Sequence, residues 1–238
     1  MYMRKKIGVI MFIVLAVALV FPVKAAIVFS DDFNRSDGPL GSDWVDVYGV
    51  WAIENIEANQ VNEDSMYART IAGDAWNDCF IEVKAIRTSG SWGWIGLLFR
   101  VLDDNNFYIW SLKDGSHYVG KYIEGSWRAI QTWTPIGVDV DVWNTLKIEL
   151  LQDSISLWLN GVNVGSFVDN YRLSGKIGLA SNYCRARFDN MLVDNPGLPG
   201  NVVPEPATAI VSLLLIGGLA SYALIRKRQA IVPARPFN

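Results

Sequence analysis

Short runs of alternating apolar and polar residues, separated by turn residues, fill the middle of this chain. Asn160-Gly161 lies between two of these runs, and an Asn-Gly pair in that position is the strongest short-range signal for a β-hairpin. No segment of this region keeps a 3.6-residue apolar period, so we expect an all-β fold. About a dozen strands in roughly 170 residues indicate a two-sheet sandwich. Ten runs predict strands: Ile27–Phe33, Phe80–Ile86, Gly93–Val101, Phe107–Lys113, Tyr118–Ile123, Leu146–Leu151, Ile155–Leu159, Val162–Phe167, Lys176–Ser181 and Arg187–Val193.

The N-terminal segment has the pattern of a secretory signal peptide. Basic residues at 4–6 precede an apolar stretch at 7–20, and Val23 and Ala25 are the small residues at positions −3 and −1. This order predicts cleavage after Ala25 by signal peptidase. The alternative is an uncleaved N-terminal anchor, which the shortness of the apolar stretch disfavours.

The C-terminal segment predicts a membrane span. An uncharged apolar run occupies about 207–225 and is followed by Arg226-Lys227-Arg228. A helix needs about 20 apolar residues to cross a bilayer, so this run suits a single crossing. Lys and Arg next to a span resist translocation, which places the C-terminal side in the cytoplasm.

The tail as a whole resembles the PEP-CTERM sorting signal of Gram-negative bacteria. Pro204, Glu205 and Pro206 stand before the apolar run and the basic cluster, as in that family. The resemblance implies that an exosortase-type membrane peptidase recognises this motif and removes the helix. A membrane-anchored precursor would then become a protein of the cell surface or extracellular matrix. The sequence departs from the family because residues 230–238 continue past the basic cluster, and an ordinary uncleaved anchor is the alternative.

These segments divide the chain into five parts. We expect a signal peptide at 1–25, an exported β-sandwich at 26–194 and a Pro/Gly linker at 195–203. A sorting signal at 204–229 and a short cytoplasmic tail at 230–238 complete the chain.

The charge of the exported part narrows the choice of partners. Residues 26–203 contain 13 Lys and Arg against 23 Asp and Glu, a formal charge of about −10. An acidic surface repels phosphate groups, which makes nucleic acid and anionic lipid poor candidates for partners. Neutral polysaccharide, or bridging by divalent cations, fits this charge better.

Cysteine and histidine are scarce. Cys79 and Cys184 are the only cysteines, and in an oxidising exported compartment they form either a disulfide or two buried thiols in separate strands. His117 is the only histidine, which excludes His-rich zinc sites. We expect a packing or surface role for it, because it lies in an aromatic strand pattern.

The middle region resembles the concanavalin A-like lectin/glucanase (laminin G-like) domains over about residues 29–194. The resemblance implies a jelly-roll sandwich, and since that fold serves lectins, glycosidases, adhesins and spacers, it leaves the function open. The matching phrases are Asp31-Asp32-Phe33-Asn34-Arg35, Gly38-Pro39-Leu40-Gly41, Trp44, Trp51, Phe80-Ile81-Glu82-Val83-Lys84, Gly96-Leu97-Leu98-Phe99-Arg100, Asp104, Asn106-Phe107-Tyr108, Trp143-Asn144-Thr145-Leu146-Lys147-Ile148, Leu159-Asn160-Gly161, Gly175-Lys176-Ile177-Gly178-Leu179 and Ala186-Arg187-Phe188-Asp189-Asn190.

The carboxylates do not predict an enzyme. Glycoside hydrolysis usually needs two carboxylates facing one cleft. Laminarinase-like members of the fold carry Glu-x-Asp-x-x-Glu on one strand, and this pattern is absent. Glu54 and Glu57 are three residues apart, which on a strand directs them to opposite faces, and Glu82 and Glu149 each stand alone. We expect a non-catalytic protein, with a glycoside hydrolase of unrecognised carboxylates as the alternative.

The tryptophans favour glycan binding. All ten lie in the exported region, and aromatic rings stack on the apolar faces of sugars. Alternation along Gly93–Val101 places Trp94 and Arg100 opposite the apolar core face, with Trp92 on the same side. Trp158 likewise opposes the apolar face of its own strand. These four residues are the predicted glycan groove, and the alternative is that the rings fill the sandwich.

Calcium is a candidate ligand, because sandwiches of this type often hold it near the chain ends. Asp31 or Asp32 with Asp189 forms the candidate site, and turn aspartates bonded to backbone N–H groups are the alternative. Taken together, we expect an exported surface or matrix protein that binds extracellular polysaccharide. A glycoside hydrolase and a purely structural or protein-binding module are the alternatives.

Overall fold

A computed structural model describes residues 26–63, 65–90 and 92–195. The predicted signal peptide with its cleavage site at Ala25, the sorting motif and span, the C-terminal tail and all of the linker except Asn195 lie outside these residues. Within the described ranges, no helix is long and apolar enough to cross a membrane.

The described residues form strands and no helix. Every strand that the alternation predicts is present. The strands are β1 (Ala26–Asp31), β2 (Trp44–Tyr48), β3 (Trp51–Glu54), β4 (Glu57–Gln60), β5 (Ala68–Trp76), β6 (Cys79–Arg87), β7 (Trp94–Asp103), β8 (Asn106–Lys113), β9 (Ser116–Ile123), β10 (Ser126–Trp133), β11 (Asn144–Leu151), β12 (Ser154–Leu159), β13 (Val162–Val168), β14 (Gly175–Asn182) and β15 (Ala186–Asn195).

Two antiparallel sheets pack face to face, which confirms the predicted all-β two-sheet sandwich. The first sheet has the order β13-β12-β11-β6-β15-β4-β3, and β1 pairs with the far half of β15. The second sheet has the order β10-β9-β8-β7-β14-β5-β2. Every pairing between these strands is antiparallel.

Local sequence sets the hairpins. Asn160 and Gly161 have φ of 51° and 79°, the left-handed conformation that a two-residue hairpin loop needs, so the predicted β12–β13 hairpin is confirmed. Glu124 and Gly125 repeat this pair of conformations between β9 and β10, with φ of 51° and 73°.

The core lies between the sheets and follows strand alternation. Ile81 and Val83 of β6 share one buried cluster with Leu97 and Phe99 of β7 and with Trp110 of β8. Full burial of one such side chain contributes roughly 1.5–3 kcal/mol. The facing inner surfaces therefore supply most of the driving force that holds the sheets together.

A bulge in β7 corrects one sequence prediction. Arg100 has a φ of 49°, and the β7–β8 register shifts at this point. A bulge adds one residue to its strand, so the residues after it exchange faces. Arg100 is buried, and its guanidinium donates to the backbone oxygens of Asp169 (3.1 Å) and Gln152. Val101 faces the outside of the sheet instead. The predicted outward direction of Arg100 and core position of Val101 are both wrong.

The two cysteines are separate buried thiols. Cys79 begins β6, whereas Cys184 lies between β14 and β15 and its Sγ donates to the backbone oxygen of Trp94. This is the second of the two arrangements that the sequence left open, so the disulfide alternative is wrong for this structure. Burial raises the pKa of Cys79 to about 12 and that of Cys184 to about 11. Both side chains therefore remain protonated and unreactive at neutral pH.

His117 has a packing role. It is buried, its ring stacks on Trp133 at 5.0 Å between centroids, and its Nδ1 accepts a hydrogen bond from Nε1 of Trp110 at 3.1 Å. Burial lowers the pKa of His117, because the charged imidazolium loses its hydration.

We predict that the sandwich loses stability on mild acidification, because His117 binds a proton more readily in the unfolded state. Its pKa is lowered in the folded chain and near 6.5 when unfolded, so the unfolded state binds the proton first. The stability contribution is present above about pH 6.5 and is lost as the pH falls through the lower folded value. Urea unfolding at about pH 7.5 and about pH 5.5 measures it.

The control is His117→Phe, which keeps a ring beside Trp133 but cannot titrate. The variant loses about 1–3 kcal/mol at both pH values, because Nε1 of Trp110 loses its acceptor. Its stability should nevertheless change less than that of the wild type between the two pH values. Equal changes in the two proteins would contradict the assignment.

Candidate functional site

The outer face of the second sheet is apolar, which is unusual for a face turned away from the core. A second buried cluster, here called the outer cluster, lies on this face. Alternation explains it, because residues between the inward positions of β7 and β8 point outwards. Its members are Ile71, Trp94, Leu98, Val101, Phe107, Ile109 and Ala180.

A groove of about 400 Å³ opens over this face, and we call it the aromatic groove. It crosses the second sheet from β5 to the edge strand β10. The lining residues are Tyr67, Arg69, Trp94, Phe107, Ile109, Ser111, Tyr118, Val119, Tyr122, Trp127, Ala129 and Thr132.

The rings of the groove support one another. Phe107 and Tyr122 stack with their centroids 4.7 Å apart, and Tyr122 lies 5.4 Å from Trp127. Tyr67 meets Trp94 edge-on at 6.0 Å. Such pairs contribute about 0.5–1.5 kcal/mol each beyond burial and fix ring orientation. Tyr67 and Trp127 remain 40% and 39% exposed, so these two rings are accessible to a ligand.

Gly120 makes room for Trp127. A Cβ added at this glycine would lie 1.9 Å from Cη2 of Trp127, so the indole rests directly on the β9 backbone. Trp127 pairs with Tyr122 across the β9–β10 hairpin, which positions the indole beside the stacked rings. The absence of a side chain at Gly120 therefore lets the accessible Trp127 ring lie flat against the outer face of the sheet.

The polar side chains of the groove are hydroxyls and one guanidinium. Burial raises the pKa values of Tyr118 and Tyr122 to about 12, so both phenols keep their protons. Arg69, on β5, lies over the Phe107 ring with Cζ 5.1 Å from the centroid. Burial lowers the pKa of Arg69, which Tyr122 and Asp104 partly oppose, and the guanidinium stays charged at neutral pH. The described lining contains no carboxylate.

The structure does not bring the four predicted glycan-binding residues together. Trp94 lines the aromatic groove but is only 6% exposed, so it forms the floor rather than a platform. Trp92 is 89% exposed before β7, and Arg100 points inwards. Trp158 belongs to β12 of the first sheet. The prediction failed for Trp158 because alternation within a strand does not reveal which sheet the strand joins.

Trp158 lines a different cavity, of about 550 Å³, with Glu82 and Glu149. Glu82 and Lys147 are cross-strand partners, and Glu149 lies two residues further along β11. Lys147 forms an ion pair with Glu149 at 2.9 Å and lies 5.9 Å from the Trp158 ring. The expectation that these two glutamates are isolated is therefore wrong, because the sheet places them on one face.

The prediction for Glu54 and Glu57 is also wrong. A turn at Asn55 and Ile56 separates the two glutamates onto β3 and β4, where they are direct cross-strand partners. The carboxylate of Glu57 is held by Arg187 at 2.9 Å. A single strand would have sent them to opposite faces, whereas a hairpin places them opposite one another.

The candidate calcium residues have other partners. Asp31 forms an ion pair with Arg35 at 2.7 Å and accepts a hydrogen bond from Nε1 of Trp44. Asp32 accepts from the backbone N–H of Asn34, and Asp189 accepts from that of Asn190. In the described ranges, no three His, Cys, Asp or Glu side chains are grouped to hold a metal ion. The hydrogen bonds of Asp32 and Asp189 to backbone N–H groups are those of the turn-aspartate alternative.

Sequence reasoning missed most of the groove. Tyr118 and Tyr122 alternate on one side of β9, a signal visible in the sequence. Arg69 and Trp127 lie on strands that alternation does not predict, since β5 is rich in small residues and β10 in polar ones. Their place in the groove depends on long-range pairing of β5 and β10 into the second sheet.

Comparison with solved structures shows the class of fold. The carbohydrate-binding module CBM66 from Bacillus subtilis is 21% identical, with a TM-score of 0.60 over 65% of this chain and 96% of that chain. A non-specific endo-beta-1,3(4)-glucanase of family GH16 is 12% identical, with a TM-score of 0.57 over 74% and 92%. A Bacillus subtilis protein of unknown function with a galectin-like fold is 13% identical, with a TM-score of 0.57 over 71% and 95%.

These similarities confirm a concanavalin A-like, galectin-like jelly-roll sandwich. Residues 80–194, from β6 into β15, match the model of a family described as a 3-keto-alpha-glucoside-1,2-lyase-like domain. No curated protein sequence matches the chain significantly. Carbohydrate-binding modules and glycoside hydrolases both share the fold. At these identities the likeness concerns the fold alone, so function has to be argued from the site.

Trp94 and Trp127 should differ sharply in their effect on stability. We predict that Trp94→Ala lowers the free energy of unfolding by about 3–5 kcal/mol, because it removes a ring from the outer cluster. Trp127→Ala should cost less than about 2 kcal/mol, because that ring is partly exposed. Urea unfolding of both variants measures the difference, and equal losses would contradict the division into floor and platform.

Proposed function

We propose that this chain is an exported surface or matrix protein whose β-sandwich binds extracellular polysaccharide in the aromatic groove, without catalysis. One observation carries the proposal. The second sheet presents an apolar outer face on which the exposed rings of Tyr67 and Trp127 flank a floor of buried rings. The similarity in fold to a carbohydrate-binding module supports it.

The groove suits the two-sided chemistry of a sugar. The C–H faces of a pyranose are apolar and stack on aromatic rings, whereas its hydroxyls need polar partners. Trp127 and Tyr67 offer the rings, and the phenols of Tyr118 and Tyr122 and the guanidinium of Arg69 offer the donors. Because the rings brace one another, little conformational entropy is lost when a sugar binds.

The composition of the groove favours binding over hydrolysis. Hydrolysis by two carboxylates needs both of them close to the glycosidic bond. The described lining residues include none, so the groove has no general acid, base or nucleophile of that kind. The rings and donors of the groove can hold a sugar in place.

A glycoside hydrolase is the second candidate, and the cavity at Trp158 favours it. Glu82 and Glu149 are diagonal neighbours on adjacent strands, so their side chains share one face and line one cavity. Inverting enzymes also direct two carboxylates into one cleft, roughly 6.5–9.5 Å apart. Lys147, however, is paired with Glu149 on this same face. A cation at this position opposes the oxocarbenium-like charge of a glycosidic transition state, which favours the binding proposal.

We predict that Trp127→Ala weakens glycan binding by roughly five- to 150-fold. This is the range that about 1–3 kcal/mol represents, by analogy with base–aromatic stacking. A glycan array with the purified full chain selects the ligand, and calorimetric titration measures its affinity. Trp158→Ala is the matched control, because it removes an indole from the opposite sheet and should leave the affinity unchanged.

Three outcomes would contradict the binding proposal. Weaker binding by the Trp158 variant, with Trp127→Ala unaffected, would move the site to the first sheet. Release of reducing sugar from the same glycans, abolished by Glu82→Gln, would establish the hydrolase instead. Absence of binding to any arrayed glycan would favour a structural or protein-binding module.

The terminal segments support export and sorting. The basic residues beside both apolar segments stay in the cytoplasm, so the domain between them lies outside. The partners in this proposal are signal peptidase, an exosortase-type membrane peptidase and extracellular polysaccharide, with a single C-terminal span before processing. Nucleic acid is not a proposed partner, because the exported part carries a charge of about −10. The protein would reach the surface or matrix of a Gram-negative bacterium.

We predict that Glu205→Ala blocks processing and leaves a full-length membrane-bound form. The acidic residue stands between two prolines directly before the apolar run, where a peptidase can recognise it. An immunoblot of membrane and extracellular fractions, with a tag after Asn238, follows the tail. Retention of the tail by wild type and variant alike would contradict sorting and leave an ordinary anchor.

A further inference from the structure

Arg69 is partly exposed and differs in its contacts from Arg87 and Arg100, which are buried in the sandwich. Arg87 donates to the backbone oxygens of Gly90 and Gly93 and pairs with Asp114, and Arg100 donates to two backbone oxygens. Arg69 makes no hydrogen bond or ion pair within the described part of the chain, and its Nε, like those of Arg87 and Arg100, has no partner. Its only close neighbour of note is the Phe107 ring. The guanidinium therefore has no contacting counterion among the described residues.

The surroundings of Arg69 supply no carboxylate or side-chain amide as an acceptor. Among the described lining residues, no Asp, Glu, Asn or Gln occurs, and the polar side chains are hydroxyls. Asp104 acts on Arg69 electrostatically from the β7–β8 turn but lies beyond ion-pair distance. A guanidinium has five N–H donors and accepts nothing. The groove therefore offers this guanidinium neutral hydroxyl oxygens and no carboxylate.

A neutral sugar and a charged one meet this arrangement differently. A neutral ring over Arg69 would displace water from the partly exposed guanidinium and replace it with neutral hydroxyl contacts, which are weaker than charge-assisted hydrogen bonds. A carboxylate would accept two parallel N–H bonds from the same group, the strongest geometry available to arginine. The ligand that best satisfies the groove thus carries a carboxylate next to a face that stacks on a ring.

We propose that the aromatic groove selects glycans that contain uronic acid residues, and that Arg69 is the specificity-determining residue that binds their carboxylate. The inference rests on the proposed glycan-binding function. It replaces the expectation of a neutral polysaccharide, which came from the charge of the whole exported part. That net charge acts at long range and is screened beyond about 8 Å at physiological ionic strength. Arg69 acts at contact distance, where its own positive charge determines whether an acidic or a neutral sugar is preferred.

The test compares matched acidic and neutral glycans. The purified full chain is titrated calorimetrically with oligomers of galacturonate, glucuronate and mannuronate, and with the carboxyl-reduced counterpart of each. Reduction converts the carboxylate to a neutral hydroxymethyl group and keeps the ring and linkage. We expect at least one acidic oligomer to bind about ten- to a hundredfold more tightly than its reduced counterpart, the range of a charge-assisted hydrogen bond.

Variants assign the preference to Arg69. Arg69→Gln should remove the preference for the acidic oligomer and leave affinity for the reduced one within about threefold, since ring stacking persists. Arg69→Lys should keep part of the preference, because the charge remains but the bidentate geometry is lost. Arg128→Gln is the control, because this exposed arginine does not line the groove and should change neither affinity.

The outcomes separate this inference from the function on which it rests. Binding of reduced and acidic oligomers with equal affinity overturns the role of the carboxylate, while glycan binding stands. A preference that survives Arg69→Gln overturns the role of Arg69. Absence of binding to both members of every pair, and to the glycan array, overturns both proposals. Circular dichroism of each variant verifies that the sandwich has remained folded.

Discussion

Strand β7 is buried on both of its faces, and much of the architecture depends on this constraint. Every residue from Trp94 to Val101 is buried. Ile95 and Leu97 join the core between the sheets, whereas Trp94 and Leu98 join the outer cluster. Antiparallel sheets commonly leave one face to water, so an apolar outer face requires a cover. Rings from the neighbouring strands provide part of it, and the uncovered remainder is the aromatic groove.

The charged side chains also differ between the core of the sandwich and the aromatic groove. Beyond the end of β13, Asp169 accepts hydrogen bonds from Tyr108 at 2.7 Å and from Lys121 at 2.5 Å. Burial alone would raise the pKa of Asp169, but these bonds outweigh it and lower the pKa. Arg100 adds a bond to the same residue's backbone oxygen. The carboxylate of Asp169 is thus paired with contacting donors, whereas the Arg69 guanidinium has no contacting counterion among the described residues. Unsatisfied polar groups cost stability and are expected where function requires them.

Sequence alone predicted the all-β sandwich, the β12–β13 hairpin and the role of His117, because alternation and turn chemistry are local signals. It placed Arg100 on the wrong face, because a bulge is not visible in the apolar pattern. The sequence also assigned Trp94 and Trp158 to one groove. Alternation shows which face of its strand each ring occupies, but it does not show that β7 and β12 belong to different sheets. Arg69 was not predicted as a site residue for the same reason. Its strand, β5, lies beside the groove because it pairs with β14, a contact between distant parts of the sequence.

The central claim is that the outer face of the second sheet, and no other face, binds glycan. Indole N–H signals in a ¹H–¹⁵N spectrum test it directly, because each tryptophan reports its own surroundings. The signal of Trp127, assigned with the Trp127→Phe variant, should shift on titration with the glycan that the array selects. The signal of Trp158, on the opposite sheet, should remain in place. A shift of Trp158 with no change at Trp127 would contradict the account.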